Sequence, residues 1–159
     1  MVIERNKYLQ ELVSCRHNGL VKIITGMRRC GKSFLLFRLF RRFLEDNGVA
    51  NDHIVEMAFD DYAFKEFRNP DKFYAYVKGR IIDDQPYYIL LDEVQMLDEF
   101  EDVLNGLLHI PNADLYVTGS NAKFLSKDII TEFRGRGYQI HVSPLSFAEF
   151  MSVYEGDRE

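Results

Sequence analysis

The chain has 159 residues, the size of one domain, and is long enough to bury a hydrophobic core. Hydrophobic residues make up 47% of it and charged residues 28%, as in an ordinary globular protein, and the formal net charge of −5 gives no overall basic footprint for nucleic acid. Cys15 and Cys30 cannot build a disulfide scaffold. With neither a signal peptide nor an apolar run of about 18 residues, we expect a cytoplasmic protein that does not span a membrane.

The first half of the chain alternates between helical and strand patterns. The predicted elements are a helix over 2–13, a strand over 20–25, a helix over 33–46, a strand over 53–59 and a helix from 70 to about 81. Asn69 before Pro70 predicts an N-cap followed by proline at the first helical position. The helix over 33–46 is apolar except for one stripe, spaced i, i+3, i+4, i+7, which we expect to face solvent: Arg38, Arg41, Arg42 and Glu45.

The second half continues the alternation. It predicts a strand over 87–91, a helix over 99–108, a strand over 114–118, a short helix starting near 120 and a strand over 138–142. Tyr87–Leu91 is apolar throughout, which suggests a strand covered on both faces, as in a parallel sheet. Ser146 and Glu149 fit a capping box, with Leu145 and Phe150 as its hydrophobic staple. Strands alternating with helices indicate an α/β domain with a mostly parallel sheet.

The segment Gly26–Ser33, GMRRCGKS, matches the phosphate-binding loop pattern G-x-x-x-x-G-K-S/T. Its two glycines permit backbone angles that turn N–H groups toward a polyphosphate. Lys32 can reach the β- and γ-phosphates, and the Ser33 hydroxyl can ligate Mg²⁺. The helix that follows adds its N-terminal dipole. A chance match is the alternative, but an apolar strand precedes the loop and a helix follows it. We expect these residues to bind ATP: Gly26, Met27, Arg28, Arg29, Cys30, Gly31, Lys32, Ser33 and Phe34.

An acidic pair, Asp92–Glu93, ends the apolar run YYILL. An acid at the end of a buried strand can lie beside a phosphate-binding loop and hold Mg²⁺, and Asp92 is that candidate. Glu93 follows on the opposite face and can accept a proton from an attacking water, as a general base does. Acidic pairs are also common at ordinary strand-to-loop junctions, but the loop upstream favours the catalytic interpretation.

A third motif, TGSN at Thr118–Asn121, stands where the fourth predicted strand ends. Ser120 fits two roles equally well. Its hydroxyl can hydrogen-bond the γ-phosphate or the attacking water, which would make it catalytic, or it can cap the N-terminus of the next helix after a glycine turn.

Several weaker features keep two interpretations. Arg28 and Arg29 can draw phosphates in or pair with acidic neighbours. The arginine stripe suits a solvated face better than a nucleic-acid contact. Cys30 lies in a positively charged loop near a helix N-terminus, where a thiol becomes reactive. The four histidines lack metal-ligand spacing, so solvent-facing or structural roles are favoured: His17, His53, His109 and His141.

Four segments together resemble the AAA-type domain of a family of archaeal and bacterial ATPases: KIITGMRRCGKS, YYILLDEVQ, LYVTGSNAKFL and RGYQIHVSPLSFAEF. They occur in the family's order and spacing, from the helix that contains Arg5 and Tyr8 to Phe150. The resemblance implies an AAA+-like P-loop NTPase fold, a three-layer α/β/α domain whose five-stranded, mostly parallel sheet has the order 5-1-4-3-2. It further implies ATP and Mg²⁺ as ligands, and an adenine bordered by Arg5 and Tyr8.

Arg136 enters through the same resemblance. The family pairs a glycine and an arginine just before the fifth strand with a downstream P-L-S-F/E segment, and that arginine matches Arg136, ahead of Pro144. In AAA-type enzymes an arginine near this place can act on the γ-phosphate, often that of a neighbouring subunit. We therefore hold Arg136 as a catalytic candidate in a homo-oligomer; a surface or structural salt bridge is the alternative.

Members of the family are longer and continue into a winged-helix-like region and a C-terminal domain of unknown function. The resemblance therefore implies that residues 1–159 are a single AAA-type core at the N-terminal end of a longer protein. Three function classes stay open: a Mg²⁺-dependent ATPase, a nucleotide-binding switch with negligible turnover, and a small-molecule kinase. The Asp-Glu pair suits water activation, which ranks the kinase last. A GTPase is disfavoured because no D-x-x-G follows the third strand and no N-K-x-D appears.

Overall fold

A computed structural model describes residues 3–27, 31–126, 129–133 and 135–143 of the chain. Within these ranges, five strands form one sheet: β1 (Val21–Thr25), β2 (Ile54–Ala58), β3 (Tyr87–Asp92), β4 (Ala113–Gly119) and β5 (Gly137–His141). Every neighbouring pair is parallel, and the spatial order is β2-β3-β4-β1-β5. The predicted order 5-1-4-3-2 is the same arrangement counted from the other side, so this prediction is confirmed.

The predicted helices are present, with ends shifted by one or two residues, and a further short helix at Ile129–Glu132 is not predicted by the sequence. They are α1 (Ile3–Ser14), α2 (Lys32–Phe34), which continues as a π-helix (Leu35–Phe40) into α3 (Arg41–Asp46), then α4 (Pro70–Arg80), α5 (Phe100–Leu107), α6 (Ala122–Leu125) and α7 (Ile129–Glu132). The predicted N-cap of α4 is confirmed, because the side chain of Asn69 accepts a hydrogen bond from the N–H of Lys72. The predicted capping box at Ser146 and Glu149 lies outside the described residues.

Two hydrophobic layers cover the sheet, one on each face. Successive side chains of β3 alternate between them, and all its residues are buried, as the unbroken apolar run predicted. One layer packs side chains of α4, α5, α6 and α7 on the sheet, including Phe73, Leu104 and Phe124. The other packs α1 and the helical segment from α2 to α3, including Leu12 and Leu36. The domain is thus the expected α/β/α sandwich.

The arginine stripe faces solvent with one exception. Arg38, Arg42 and Glu45 are exposed, whereas Arg41 is half-buried. Its guanidinium forms an ion pair with Glu56 of β2 at 2.7 Å and bonds Glu45 one turn along the helix at 2.9 Å. Arg41 therefore ties α3 to the sheet. Among the described residues, no helix is long and apolar enough to cross a membrane.

The edge of the sheet at which the strands begin, here called the amino edge, holds a buried ion pair. Lys22 of β1 is fully buried, and its Nζ lies 2.6 Å from Oδ1 of Asp114 in β4. Asp114 also accepts hydrogen bonds from the hydroxyl of Tyr116 and the backbone N–H of His17. Lys22 completes its own coordination with Asn18 Oδ1 at 3.1 Å. The groups satisfy one another, which marks the network as a structural brace between β1 and β4.

Candidate nucleotide and magnesium site

The motifs predicted to form the site lie together at the carboxyl edge of the sheet, where the parallel strands end. Ile24 pairs with Thr118, and Leu91 pairs with Val117, so Asp92 at the end of β3 is level with Thr118 in β4. The phosphate-binding loop begins directly after β1 at this same edge. Parallel strand order therefore brings together motifs that are far apart in the sequence, at the position where open α/β sheets bind ligands.

Asp92 links the loop to the sheet. Its Oδ2 accepts a hydrogen bond from Ser33 Oγ at 2.7 Å, and its Oδ1 accepts one from Thr118 Oγ1 at 2.6 Å. The carboxyl is only 5% exposed. Burial is the main cause that raises the pKa of Asp92, and the negative charges of Glu93 and Asp60 raise it further, against the hydrogen bonds from Thr118 and Ser33. A cation bound here would offset the burial of this charge.

The donor set fits Mg²⁺. Ser33 and Asp92 present a hydroxyl and a carboxylate oxygen in direct contact, and oxygen is the ligand that this hard cation prefers. The two residues supply few protein ligands, as in sites where Mg²⁺ takes its other ligands from water and phosphate. Within the described part of the chain, no group of three or more His, Cys, Asp or Glu side chains is placed to hold a metal.

Lys32 lies against the loop that precedes it. The side chain is 4% exposed, and its Nζ donates to the carbonyls of Gly26 at 2.8 Å and Met27 at 2.9 Å. Gly31, just before α2, has φ 96° and ψ 13°, a left-handed conformation that glycine adopts without strain. The carbonyls of Gly26 and Met27 thus hold the ammonium group, and a phosphate would compete with them for it.

Glu93 is held in an uncommon conformation. Its backbone is left-handed, with φ 52° and ψ 52°, and its N–H donates to Thr118 Oγ1 at 2.9 Å. The side chain is 7% exposed, and Oε1 accepts hydrogen bonds from Ser120 Oγ at 2.8 Å and from Gln95 Nε2 at 2.7 Å. Thr118 therefore bonds both acids, its hydroxyl to the side chain of Asp92 and its oxygen to the backbone of Glu93.

The structure separates the two roles that the sequence left open for Ser120. The N-cap of α6 is Asn121, whose Oδ1 accepts from the N–H of Phe124 at 3.1 Å. The capping interpretation of Ser120 is therefore wrong, and its hydroxyl instead bonds Glu93. A Cβ on Gly119 would lie 2.3 Å from ring atoms of Phe124, so only glycine allows the turn that places these residues side by side.

Comparison with known proteins shows the family to which the chain belongs. Residues 18–151 match a family described as AAA domain, which is most of the chain and includes the loop and both acids. The chain belongs to this AAA domain family. An uncharacterized protein of Haemophilus influenzae is 32% identical over 159 residues, which is 99% of this chain but 40% of that protein. The chain therefore spans less than half the length of this relative.

Solved structures with the same fold are distant in sequence. The AAA domain superposes on a chain from Drosophila ORC bound to DNA with a TM-score of 0.58 and 13% identity, covering 89% of this chain and 90% of that one. It is also similar to AMPPCP-bound DnaA from Aquifex aeolicus, with a TM-score of 0.51 and 17% identity over 88% of this chain and 47% of that one. These similarities establish an AAA+ P-loop NTPase fold.

The other residues of the AAA domain that were predicted to contact ATP lie further apart. Met27 is 60% exposed at the mouth of the loop, and Phe34 is half-buried beneath the guanidinium of Arg38. Tyr8, expected near the adenine, is buried in the core, where its hydroxyl accepts the N–H of Ser143. Arg28, Arg29 and Cys30 lie outside the described residues, as does the side chain of Arg5.

Arg136 lies at the other end of the sheet. It immediately precedes β5, and its carbonyl accepts the N–H of Val21, the first residue of β1. The exposed side chain borders a cavity of about 240 Å³ that is also lined by Gly19, Leu108 and His109. The length of β5, about 17 Å at the usual rise per residue, separates Arg136 from the phosphate-binding loop of its own chain.

The sequence motifs contained two site residues to which no role was given. Thr118 bonds both acids, and Gln95 bonds Glu93. Both lie inside the motifs at the strand ends, TGSN and YYILLDEVQ. A threonine that ends a buried strand level with an acid is a usable signal, once the strand order is known. The Gln95 contact depends on the left-handed backbone of Glu93, which no residue pattern indicates.

Proposed function

We propose that this AAA domain is a Mg²⁺-dependent ATPase core that binds ATP at the carboxyl edge of its sheet and hydrolyses it. One observation carries the proposal: the 2.7 Å hydrogen bond between Ser33 and Asp92, which joins the phosphate-binding loop to the acid that ends β3. A nucleotide site needs a hydroxyl and a carboxylate together at this place to hold the cation. The nucleotide analogue on DnaA, a protein of the same fold, adds support for a nucleotide ligand.

Each residue has a separate duty in this proposal. Lys32 exchanges its bonds to the loop carbonyls for bonds to the β- and γ-phosphates, and Ser33 and Asp92 hold Mg²⁺. When bound, Mg²⁺ neutralises charge on the phosphates. Glu93 takes a proton from water as the water oxygen bonds the γ-phosphorus, while the bond to the β–γ bridging oxygen breaks and ADP leaves with that electron pair. Ser120 holds the Glu93 carboxylate in place.

Two substitutions test binding and chemistry separately. Lys32→Ala removes a charge aimed at the phosphates, and we expect ATP affinity measured by titration calorimetry to fall about tenfold or more, since charge-assisted hydrogen bonds contribute about 1.5–3 kcal/mol. Glu93→Gln should keep the affinity for Mg·ATP and lose phosphate release, because the amide cannot accept the proton. Lys78→Ala, an exposed lysine near the end of α4, is the matched control and should change neither measurement.

The outcomes divide the remaining function classes. Unchanged affinity of Lys32→Ala would remove the phosphate-binding assignment of the loop. Tight binding of Mg·ATP by the wild-type chain without phosphate release, at every protein concentration, would favour the nucleotide-binding switch. ADP formation that requires an added acceptor molecule, with the phosphoryl group transferred to that acceptor instead of being released as phosphate, would identify a kinase. Wild-type turnover in Glu93→Gln would assign the base to another residue.

A further inference from the structure

The side-chain amide of Gln95 has a donor and an acceptor, and only the donor makes a hydrogen bond with the described part of the chain. Its Nε2 donates to Oε1 of Glu93 at 2.7 Å. Its own Oε1 is buried and makes no hydrogen bond with the described part of the chain. The amide cannot be turned around, because Oε1 would then face a carboxylate that, like itself, only accepts. A buried acceptor is thus fixed beside the carboxylate that the proposed reaction uses as its base.

An acceptor in this state is costly. Leaving a buried polar atom without a partner destabilises the fold, and native proteins rarely do so unless the atom meets water or a ligand. The carboxylate of Glu93 receives its side-chain hydrogen bonds on one oxygen. Both Ser120 and Gln95 bond its Oε1, so among the described contacts its second oxygen, Oε2, is the one left to face a water molecule. A water that bonds Oε2 with one hydrogen would have the Gln95 acceptor nearby for the other.

We propose that Gln95 is a catalytic residue of the hydrolysis, which orients the attacking water. Its Oε1 accepts one hydrogen of the water, and its Nε2 holds the Glu93 carboxylate that takes the other hydrogen as a proton. The hydrogen bound to Gln95 stays with the oxygen and becomes part of the phosphate product. Two acceptors at fixed positions aim the lone pair of the water at the γ-phosphorus, which places the reacting atoms in line before the reaction. The inference rests on the proposed ATPase function.

The first test separates orientation from binding. Gln95→Met keeps the length of the side chain but neither donates nor accepts strongly. We expect its Kd for Mg·ATP to stay within about threefold of wild type, and its kcat to fall about 10²-fold, the effect of a small misplacement of a reacting group. Gln85→Met is the matched control, because Gln85 is exposed ahead of β3 at the amino edge, and it should change neither quantity.

A double-mutant cycle distinguishes this role from a structural one. When Glu93→Gln has already removed the base, orienting the water gains little, so Gln95→Met should lower the residual single-turnover rate by less than about threefold. A purely structural contribution of Gln95 would lower the rate by the same factor in both backgrounds. Binding of Mg·ADP with aluminium fluoride, which imitates the phosphoryl group under attack, does not depend on turnover and should weaken about tenfold or more in Gln95→Met.

The results separate failure of the inference from failure of the proposed function. If the wild-type chain releases phosphate and Gln95→Met does so at the same rate, the inference is overturned and the ATPase assignment stands. An equal loss in both backgrounds, or a parallel loss of Mg·ATP affinity and thermal stability, assigns Gln95 a structural role and also overturns the inference. If the wild-type chain binds Mg·ATP but releases no phosphate, the hydrolytic function fails and the role of Gln95 fails with it.

Discussion

Cys15 lies in the core under α1, 6% exposed, and its thiol donates to the carbonyl of Leu12. Burial raises the pKa of Cys15 to about 11, against the opposing charge of Lys22. The thiolate is the reactive form, so this thiol is protected both by its low ionisation and by its position. In the folded chain, a thiol reagent should therefore label the other cysteine, Cys30, and leave Cys15 unmodified.

The two cysteines should differ in their response to nucleotide. The loop around Cys30 carries Arg28, Arg29 and Lys32, which favour the thiolate, and it is where we propose that the phosphates bind. We expect alkylation of Cys30 to block ATP binding, and Mg·ATP to slow its labelling, as measured by mass spectrometry over time. Cys15 in the same sample is the internal control. Equal labelling of Cys30 with and without nucleotide would place this thiol away from the phosphates.

Some residues of the candidate site were predictable from the sequence and others were not. The phosphate-binding loop and Asp92 were predictable because their chemistry requires a fixed spacing and a strand end. The triangle of Glu93, Ser120 and Gln95 was not, since it arises from a left-handed backbone at a glutamate, a conformation that L-residues seldom adopt. The sequence therefore left Ser120 with two roles, and the cap at Asn121 excludes the capping role.

At the scale of elements, periodicity predicted long segments and overlooked short ones. The strands and the helices α1, α4 and α5 repeat an apolar pattern often enough to be recognised. The 3-10 segment Tyr62–Arg68 and α7, only four residues long, do not. Neither could have been inferred, because segments of one or two turns are too short to show a period and their conformation depends on the neighbours that they pack against.

We expect the ion pair between Lys22 and Asp114 to stabilise the pairing of β1 with β4. Lys22→Met should destabilise the fold by about 3–5 kcal/mol, measured by urea unfolding, because it leaves a buried carboxylate without its cation. Adding Asp114→Asn to the same chain should recover much of that loss, since the amide carries no charge. A loss below about 1 kcal/mol in Lys22→Met, as for an exposed pair, would contradict the role of this contact as a brace.

His53 joins two turns at the amino edge, and its effect should depend on pH. Its Nδ1 lies 2.7 Å from Asp52 Oδ1, its Nε2 lies 3.0 Å from Asp83 Oδ2, and its ring stacks on Tyr87. The hydrogen bond to Asp52 is the main cause that raises the pKa of His53; burial opposes it, and Asp83 adds to it. A raised folded-state pKa gives stability that is complete below the unfolded pKa of about 6.5 and is lost as the pH rises through the folded value.

The corresponding substitution is His53→Gln. The difference in thermal midpoint between wild type and this variant should be largest near about pH 6 and shrink as the pH rises above neutrality. His109→Gln is the matched control, because His109 bonds the carbonyl of Asn105 rather than a carboxylate, and it should not reproduce the trend. A difference for His53→Gln that stays constant or grows with pH would show that the charged imidazole does not stabilise this edge.

At the scale of the whole molecule, the two edges of the sheet differ in chemistry. The carboxyl edge carries the loop, both acids and Ser120, whereas Arg136 lies at the amino edge. An arginine side chain cannot span the length of β5, about 17 Å, so Arg136 does not serve the site of its own chain. If Arg136 has a catalytic role, it acts on the nucleotide of another copy, which requires a head-to-tail arrangement of subunits.

Arg136 is suited to act on the nucleotide of a neighbouring subunit. Arg136 stands between Gly135 and Gly137 with its side chain exposed, and a guanidinium can donate two hydrogen bonds to phosphate oxygens. Turnover should then rise more than linearly with protein concentration. Arg136→Ala should keep its ATP affinity and lose about 10³-fold in hydrolysis, because such a group stabilises charge mainly in the transition state. Arg42→Ala, an exposed arginine on α3, is the matched control and should retain both.

Mixing two inactive variants gives the decisive measurement. Each subunit of Glu93→Gln still carries Arg136, and each subunit of Arg136→Ala still carries Glu93. In a head-to-tail assembly of both, some interfaces join an intact Glu93 to an intact Arg136, and phosphate release should partly recover. No recovery in mixtures shown to co-assemble would count against action between subunits. Full activity of Arg136→Ala alone would remove the catalytic role and leave a surface or structural contact at the start of β5.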